Sequence, residues 1–271
     1  MKEIIVAVDL SECSINALEH AVSVAKKANT GIFMVFAKDS DSKKIPDPEK
    51  KLEELVLKYK PELKDGNIDF KVVNGKISKQ ITTLAKERDT YMIFSGSRGA
   101  TAFEEFIIGS TANKIIAAAK QPVVTIKLSA NISRELSRII LPMNSISETR
   151  QKIPFTTEIA KLFRAEVYIL GLYSSSSVSV KNNVDNYVNQ AAKYLDNHLV
   201  KYHVDSMHAP NLTDATLEFA KKIDANLISI MTKQESNTSN LWFGGYPQQM
   251  VNHSPIPVLS NHVKEIMRTL S

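Results

Sequence analysis

At 271 residues, with 43% hydrophobic and 23% charged side chains, the chain holds enough core material for one large or two ordinary globular domains. Its net charge of +5 is spread evenly, with 21 basic against 18 acidic residues in 1–135 and 13 against 11 in 136–271, so it lacks the clustered basic patch that nucleic-acid binding uses. A single cysteine, Cys13, excludes an internal disulfide and a thiolate metal cluster, and no apolar run approaches the roughly 20 residues of a membrane span.

The start, MKEIIVAVD, sets Glu3 and Asp9 around five apolar residues and reads as a strand, not a signal peptide; the expected compartment is the cytoplasm. Strands are predicted near 3–9, 31–37, 68–73, 91–95 and 123–127, and fully apolar runs such as Ile4 to Val8 suit strands covered on both faces. Between them, Ala17, Leu18, Ala21, Val22, Val24 and Ala25 fall at helical spacing over 14–28. Further helices are expected over 48–60, 77–87 and 110–119. After a polar link from Ser129 to Ser137 the pattern begins again, with helices near 148–163, 182–201, 213–222 and 245–253.

The second half repeats the first at a shift of 135. Ile4-Ile5-Val6-Ala7-Val8-Asp9 is answered by Ile139-Ile140-Leu141-Pro142-Met143-Asn144, and Ile32-Phe33-Met34-Val35 by Val167-Tyr168-Ile169-Leu170. Pro122-Val123-Val124 is answered by Pro257-Val258-Leu259. One offset at separated places marks two copies of a unit. Alternating strands and helices then predict the α/β class with parallel sheets.

Ligands in such sheets bind beyond the carboxyl ends of the strands. After the fourth strand of unit one comes Ser95-Gly96-Ser97-Arg98-Gly99, then nine residues, then Gly109-Ser110-Thr111 opening a helix. Gly96 and Gly99 permit positive φ and close approach of backbone amides to an anion. Gly109 and Ser110 sit where free N–H groups of a helix start face outward, Thr111 adds a hydroxyl, and Arg98 offers a charged donor to phosphate. Asp9, ending the first strand, is placed to meet a ribose hydroxyl or a magnesium ion. The pattern is neither a P-loop nor a G-x-G-x-x-G fingerprint, and glycine pairs taken alone mark turns more often than sites.

Taken together, G-x-x-G, nine residues and G-[ST] after a buried strand, with Val6-Ala7-Val8-Asp9 in the first strand, resemble the ATP-binding signature of the universal stress protein family. Gly75 before the third helix and Gln121-Pro122-Val123-Val124 before the last strand match as well. The resemblance implies two Rossmann-like units, each a five-stranded parallel sheet flanked by helices, packed as an internal pseudo-dimer: a nucleotide-binding domain over 1–129 and a degenerate one over 136–271. It implies that Ala7, Val8 and Asp9 lie beside adenine and ribose, with Phe36 closing on the base. Ser95, Gly96, Arg98 and Gly99 would line ribose and phosphates, and Gly109, Ser110 and Thr111 would hold the triphosphate. Phe36 is bulkier than the aliphatic residue usual there, which implies a tighter base pocket. The implied ligand is ATP or another adenine nucleotide, with magnesium at Asp9.

In the second copy Gly96 becomes Met231, Arg98 becomes Lys233, Gly99 becomes Gln234 and Asp9 becomes Asn144. Unit two is expected to serve as a scaffold or partner surface, with Gly244-Gly245 as the only remnant suited to an anion. Cys13, beside the proposed site, reads as a small buried hydrophobe more readily than as a redox thiol. The six histidines show no metal-ligand spacing. Trp242 and Phe243 read as core, with an interface anchor as the alternative, and Ser174 to Ser177 as a surface loop. The leading functional expectation is a nucleotide-binding regulatory or stress-response module, with the internal pairing, a further homodimer and an unidentified protein as partners, and neither nucleic acid nor membrane among them. A slow ATPase or phosphotransferase and a purely structural module with a vestigial motif are the alternatives; the missing Walker lysine and nucleophile weigh against the enzyme.

Overall fold

A computed structural model describes residues 2–38, 45–97, 110–130, 135–232 and 245–262. Unit one runs β1 (Glu3–Ala7), α1 (Glu12–Ala28), β2 (Gly31–Lys38), α2 (Pro48–Tyr59), β3 (Ile68–Asn74), α3 (Ile77–Glu87), β4 (Thr90–Gly96), α4 (Ser110–Ala118) and β5 (Val123–Ile126). Unit two follows with β6 (Arg138–Met143), α5 (Ile153–Phe163), β7 (Glu166–Tyr173), α6 (Val178–Asn197), β8 (Tyr202–His208), α7 (Leu212–Lys222), β9 (Leu227–Met231), α8 (Gly245–His253) and β10 (Val258–Asn261). The predicted strands of unit one match this order closely, because runs such as Ile4–Val6 and Ile32–Val35 are apolar on both faces and are buried on both.

Ten strands form one sheet in the order β3-β2-β1-β4-β5-β10-β9-β6-β7-β8. Every pairing inside a unit is parallel; the units join where β5 meets β10 antiparallel, with Val124 opposite Leu259. Those two residues are 135 apart, so each is the other's counterpart and a pseudo-two-fold axis passes through the pair. The internal pseudo-dimer is therefore a single continuous sheet, and the carboxyl edges of its two halves point in opposite directions.

Two cores cover the sheet. Residues of α1, α2, α5 and α6 share one cluster, and residues of α3, α4, α7 and α8 share the other. Each cluster draws on both units. Among the described residues no helix is long and apolar enough to cross a membrane.

Local chemistry sets the helix ends. Ser11 caps α1, its side chain accepting from the Ser14 N–H, and Asn29 closes the helix in the left-handed region. The helix predicted over 148–163 differs in its first turns: Ser147–Lys152 is a 3-10 segment and α5 starts only at Ile153. Pro154 explains this, since its ring lacks an N–H and collides with the carbonyl four residues back in a continuing α-helix.

At the amino edge, Arg88 Nε and Nη2 donate to the two carboxylate oxygens of Glu3 at 2.6 and 3.0 Å, and its guanidinium lies 3.9 Å from the centre of the Phe33 ring. This forked, half-buried contact should make Arg88→Ala cost about 1 kcal/mol of stability in urea unfolding. Arg88→Lys should recover little of it, because an ammonium cannot reproduce the fork or the stacking.

Candidate functional site

The order β3-β2-β1-β4-β5 reverses its winding between β1 and β4, and the crevice beyond their carboxyl ends is where such a sheet takes a ligand. The register sets Ala7 beside Ser95, which brings the segment after β1 next to the segment after β4. Asp9 is exposed just past β1. Its Oδ1 accepts from the Ser11 N–H and hydroxyl, while Oδ2 faces no partner among the described residues. Leu10, between them, is held at φ 64°, a left-handed conformation that costs a leucine about 1–2 kcal/mol. Unit one thus stores strain at its β1–α1 turn, and the turn keeps one carboxylate oxygen available at the crevice.

Across the crevice, Ser95 is buried and its hydroxyl is turned to the Gly96 carbonyl at 3.1 Å. Gly96 belongs to β4 and has no positive φ. The expectation that it takes a positive φ is corrected. Its missing Cβ is needed for packing, because a Cβ there would stand 3.1 Å from the Cys13 carbonyl carbon, oxygen and sulfur. Cys13 itself is buried, with its thiol donating to the Ile126 carbonyl at 3.3 Å. Phe36 is fully buried on the α1 face of the sheet and offers no free ring surface to a base. Val8 is buried, its N–H bonded to the Val35 carbonyl.

Arg98, Gly99 and Gly109 lie outside the described residues, as do Lys233, Gln234, Trp242, Phe243 and Gly244. The segments that border the unit-one loop are described. Ser97 precedes it with a buried hydroxyl that has no hydrogen-bond partner. Ser110 opens α4 after it, followed by half-buried Thr111 and by Asn113, whose buried Oδ1 also lacks a partner. Buried polar atoms left unpaired are costly, and a helix start carries free N–H groups. Ser97 and the start of α4 thus border the segment that follows β4, while Asp9 follows β1.

The counterpart crevice between β6 and β9 is built differently. Lys152, at the position of Ala17, is fully buried, and among the described residues its Nζ donates only to the Thr149 carbonyl and hydroxyl at 2.8 and 2.7 Å. Burial lowers its pKa to about 7. Tyr246, at the position of Thr111, turns its hydroxyl to Thr216 at 3.1 Å, and burial raises its pKa. With Asn144, Met231 and Tyr246 around Lys152, a cavity of only about 10 Å³ is left, the room of one water. Pro247 in the first turn of α8 also removes one N–H from that helix start. Lys152 and Pro247 escaped the sequence reading; the shift of 135, which sets them against Ala17 and Ala112, was the signal that could have found them.

A family model for the universal stress protein family matches residues 1–127. The first unit is a universal stress protein domain. A universal stress protein of Methanocaldococcus jannaschii is 23% identical over 139 residues, which is 46% of this chain and 82% of that protein. A universal stress protein structure from Archaeoglobus fulgidus aligns over 97% of both chains with a TM-score of 0.73 and 17% identity. A putative universal stress protein from Pseudomonas aeruginosa aligns over 97% of this chain and 93% of its own, with a TM-score of 0.68 and 14% identity. The universal stress protein fold thus extends over both units.

Proposed function

We propose that the universal stress protein domain of unit one binds an adenine nucleotide at the β1/β4 crevice, and that the nucleotide regulates the protein's shape or partnership and is not its substrate. The observation that supports this reading is the exposed Asp9 carboxylate just past β1, at the switch in strand order, with one oxygen unpaired among the described residues. Asp9 would take a ribose hydroxyl, and Ser110, Thr111 and the glycine loop the phosphates. Among the described residues no group of three His, Cys, Asp or Glu could hold a metal, so magnesium at Asp9 would draw most of its ligands from phosphate and water. Unit two serves as the scaffold that completes the sheet, and the partner that senses the nucleotide would be another protein or a second copy of this chain.

Thermal unfolding with and without millimolar ATP and magnesium tests the assignment. Ligand at a hundred times its dissociation constant adds about 2.7 kcal/mol, a midpoint rise of several degrees for a chain of this size. Asp9→Ala should reduce the rise, and Lys152→Met in unit two should leave it intact. No rise with ATP, ADP or AMP in nucleotide-free protein would make the loop structural. Steady phosphate release lost in Asp9→Ala would instead make the protein an enzyme.

A further inference from the structure

The pseudo-two-fold axis through Val124 and Leu259 relates two corners where the units meet, and the corners are filled differently. At one corner Tyr91 of unit one packs on Phe155 of unit two, ring centres 5.5 Å apart. The shift of 135 sets Asn226 opposite Tyr91, His20 opposite Phe155 and Ser23 opposite Glu158. At the second corner a phenol and a phenyl ring are thus replaced by a carboxamide and a smaller imidazole.

The result is a cavity of about 150 Å³ between α1, α5 and the β5–β10 seam, with His20, Ser23 and Asn226 in its wall. Most of the remaining lining is apolar, including Met92, Ile159 and Phe163. Asn226 Oδ1 is already committed to the Ser137 N–H and hydroxyl and the Arg138 N–H. His20 Nε2 is buried and has no hydrogen-bond partner. Burial lowers the pKa of the imidazole, against the opposing pull of the Ala130 carbonyl and Glu19, so the ring is neutral near pH 7. A cavity of this size and character takes one benzene-sized ring, and an orphaned ring nitrogen in its wall calls for one polar group.

We propose that this seam cavity is a second ligand site, independent of the nucleotide crevice, for a small aromatic or aliphatic molecule carrying a single hydroxyl that pairs with His20 Nε2. A hydroxyl fits because it both donates and accepts, and so satisfies either tautomer of a neutral histidine. A charged group is excluded by the apolar wall. Since both units form the wall, a bound molecule would favour the arrangement of the units that encloses it.

The test uses the full chain with carbon-13-labelled methionine methyls, the Met92 signal being assigned through Met92→Leu. Phenol and toluene are the probes. Both should shift the Met92 methyl saturably. His20→Leu, close in volume, should weaken phenol by about tenfold, the worth of one hydrogen bond, and leave toluene binding unchanged. Val24→Trp, which fills the cavity from α1, should abolish both while the ATP-dependent thermal shift of unit one survives. Absence of a saturable shift with either probe would mean that the seam is closed packing. An equal loss of phenol and toluene in His20→Leu would overturn the role of Nε2.

Discussion

Replacing Lys152 with methionine is expected to stabilise the protein by about 2 kcal/mol or more at pH 7 and to change how stability depends on pH. The lysine is fully buried, its ammonium bonds only to Thr149 among the described residues, and its pKa stands at about 7 against an ordinary 10.5. Between those values the unfolded chain holds a proton on this side chain that the folded chain does not. Its contribution to stability therefore rises with pH from about 7 to about 10.5, at roughly 1.4 kcal/mol per pH unit, and the penalty is complete below pH 7. The full gap corresponds to about 5 kcal/mol, which caps the gain from methionine; the lost bonds to Thr149 lower it. Urea unfolding at pH 7, 8 and 9 reads both features. The parent should gain on the variant with each step upward, and parallel curves would mean that the ammonium is solvated.

Gly96→Val is expected to cost about 3 kcal/mol in the absence of any nucleotide, and Gly96→Ala about 1 kcal/mol. The added carbon would meet the first turn of α1 at 3.1 Å, and two of the three atoms it meets are Cys13 backbone. A main chain held in the first turn of α1 by the Ser11 cap cannot move aside as a flexible side chain can. Chemical denaturation of nucleotide-free protein measures this directly. A neutral Gly96→Ala that nevertheless loses nucleotide would return the glycine to the ligand and undo the packing argument.

The strands, the repeat and the universal stress protein resemblance were all legible in the chain. Each rests on signals confined to short segments: apolar runs such as Ile4 to Val8, glycines at fixed spacing, and one offset of 135. The same offset showed correctly that unit two keeps Asn144 and Met231 where unit one has Asp9 and Gly96. It could not show how the counterpart crevice is filled. Lys152 reads in sequence as an ordinary helix residue, and only the meeting of β6, β9 and α8 makes it a buried cation.

The sequence by itself determined which segments are strands and helices, that they occur twice, and which copy carries the G-x-x-G, nine residues, G-S spacing, because periodicity and glycine spacing are local properties. The tertiary structure decided the rest. It joined two sheets through β5 and β10, showed that Gly96 is glycine for the sake of Cys13, buried Phe36 beneath α1, and opened the cavity at the seam. Each of these depends on which side chains from segments more than eighty residues apart come within van der Waals contact, or, for Phe36, on how α1 is laid over the sheet. Contacts of that kind are set by packing, which no window along the chain contains.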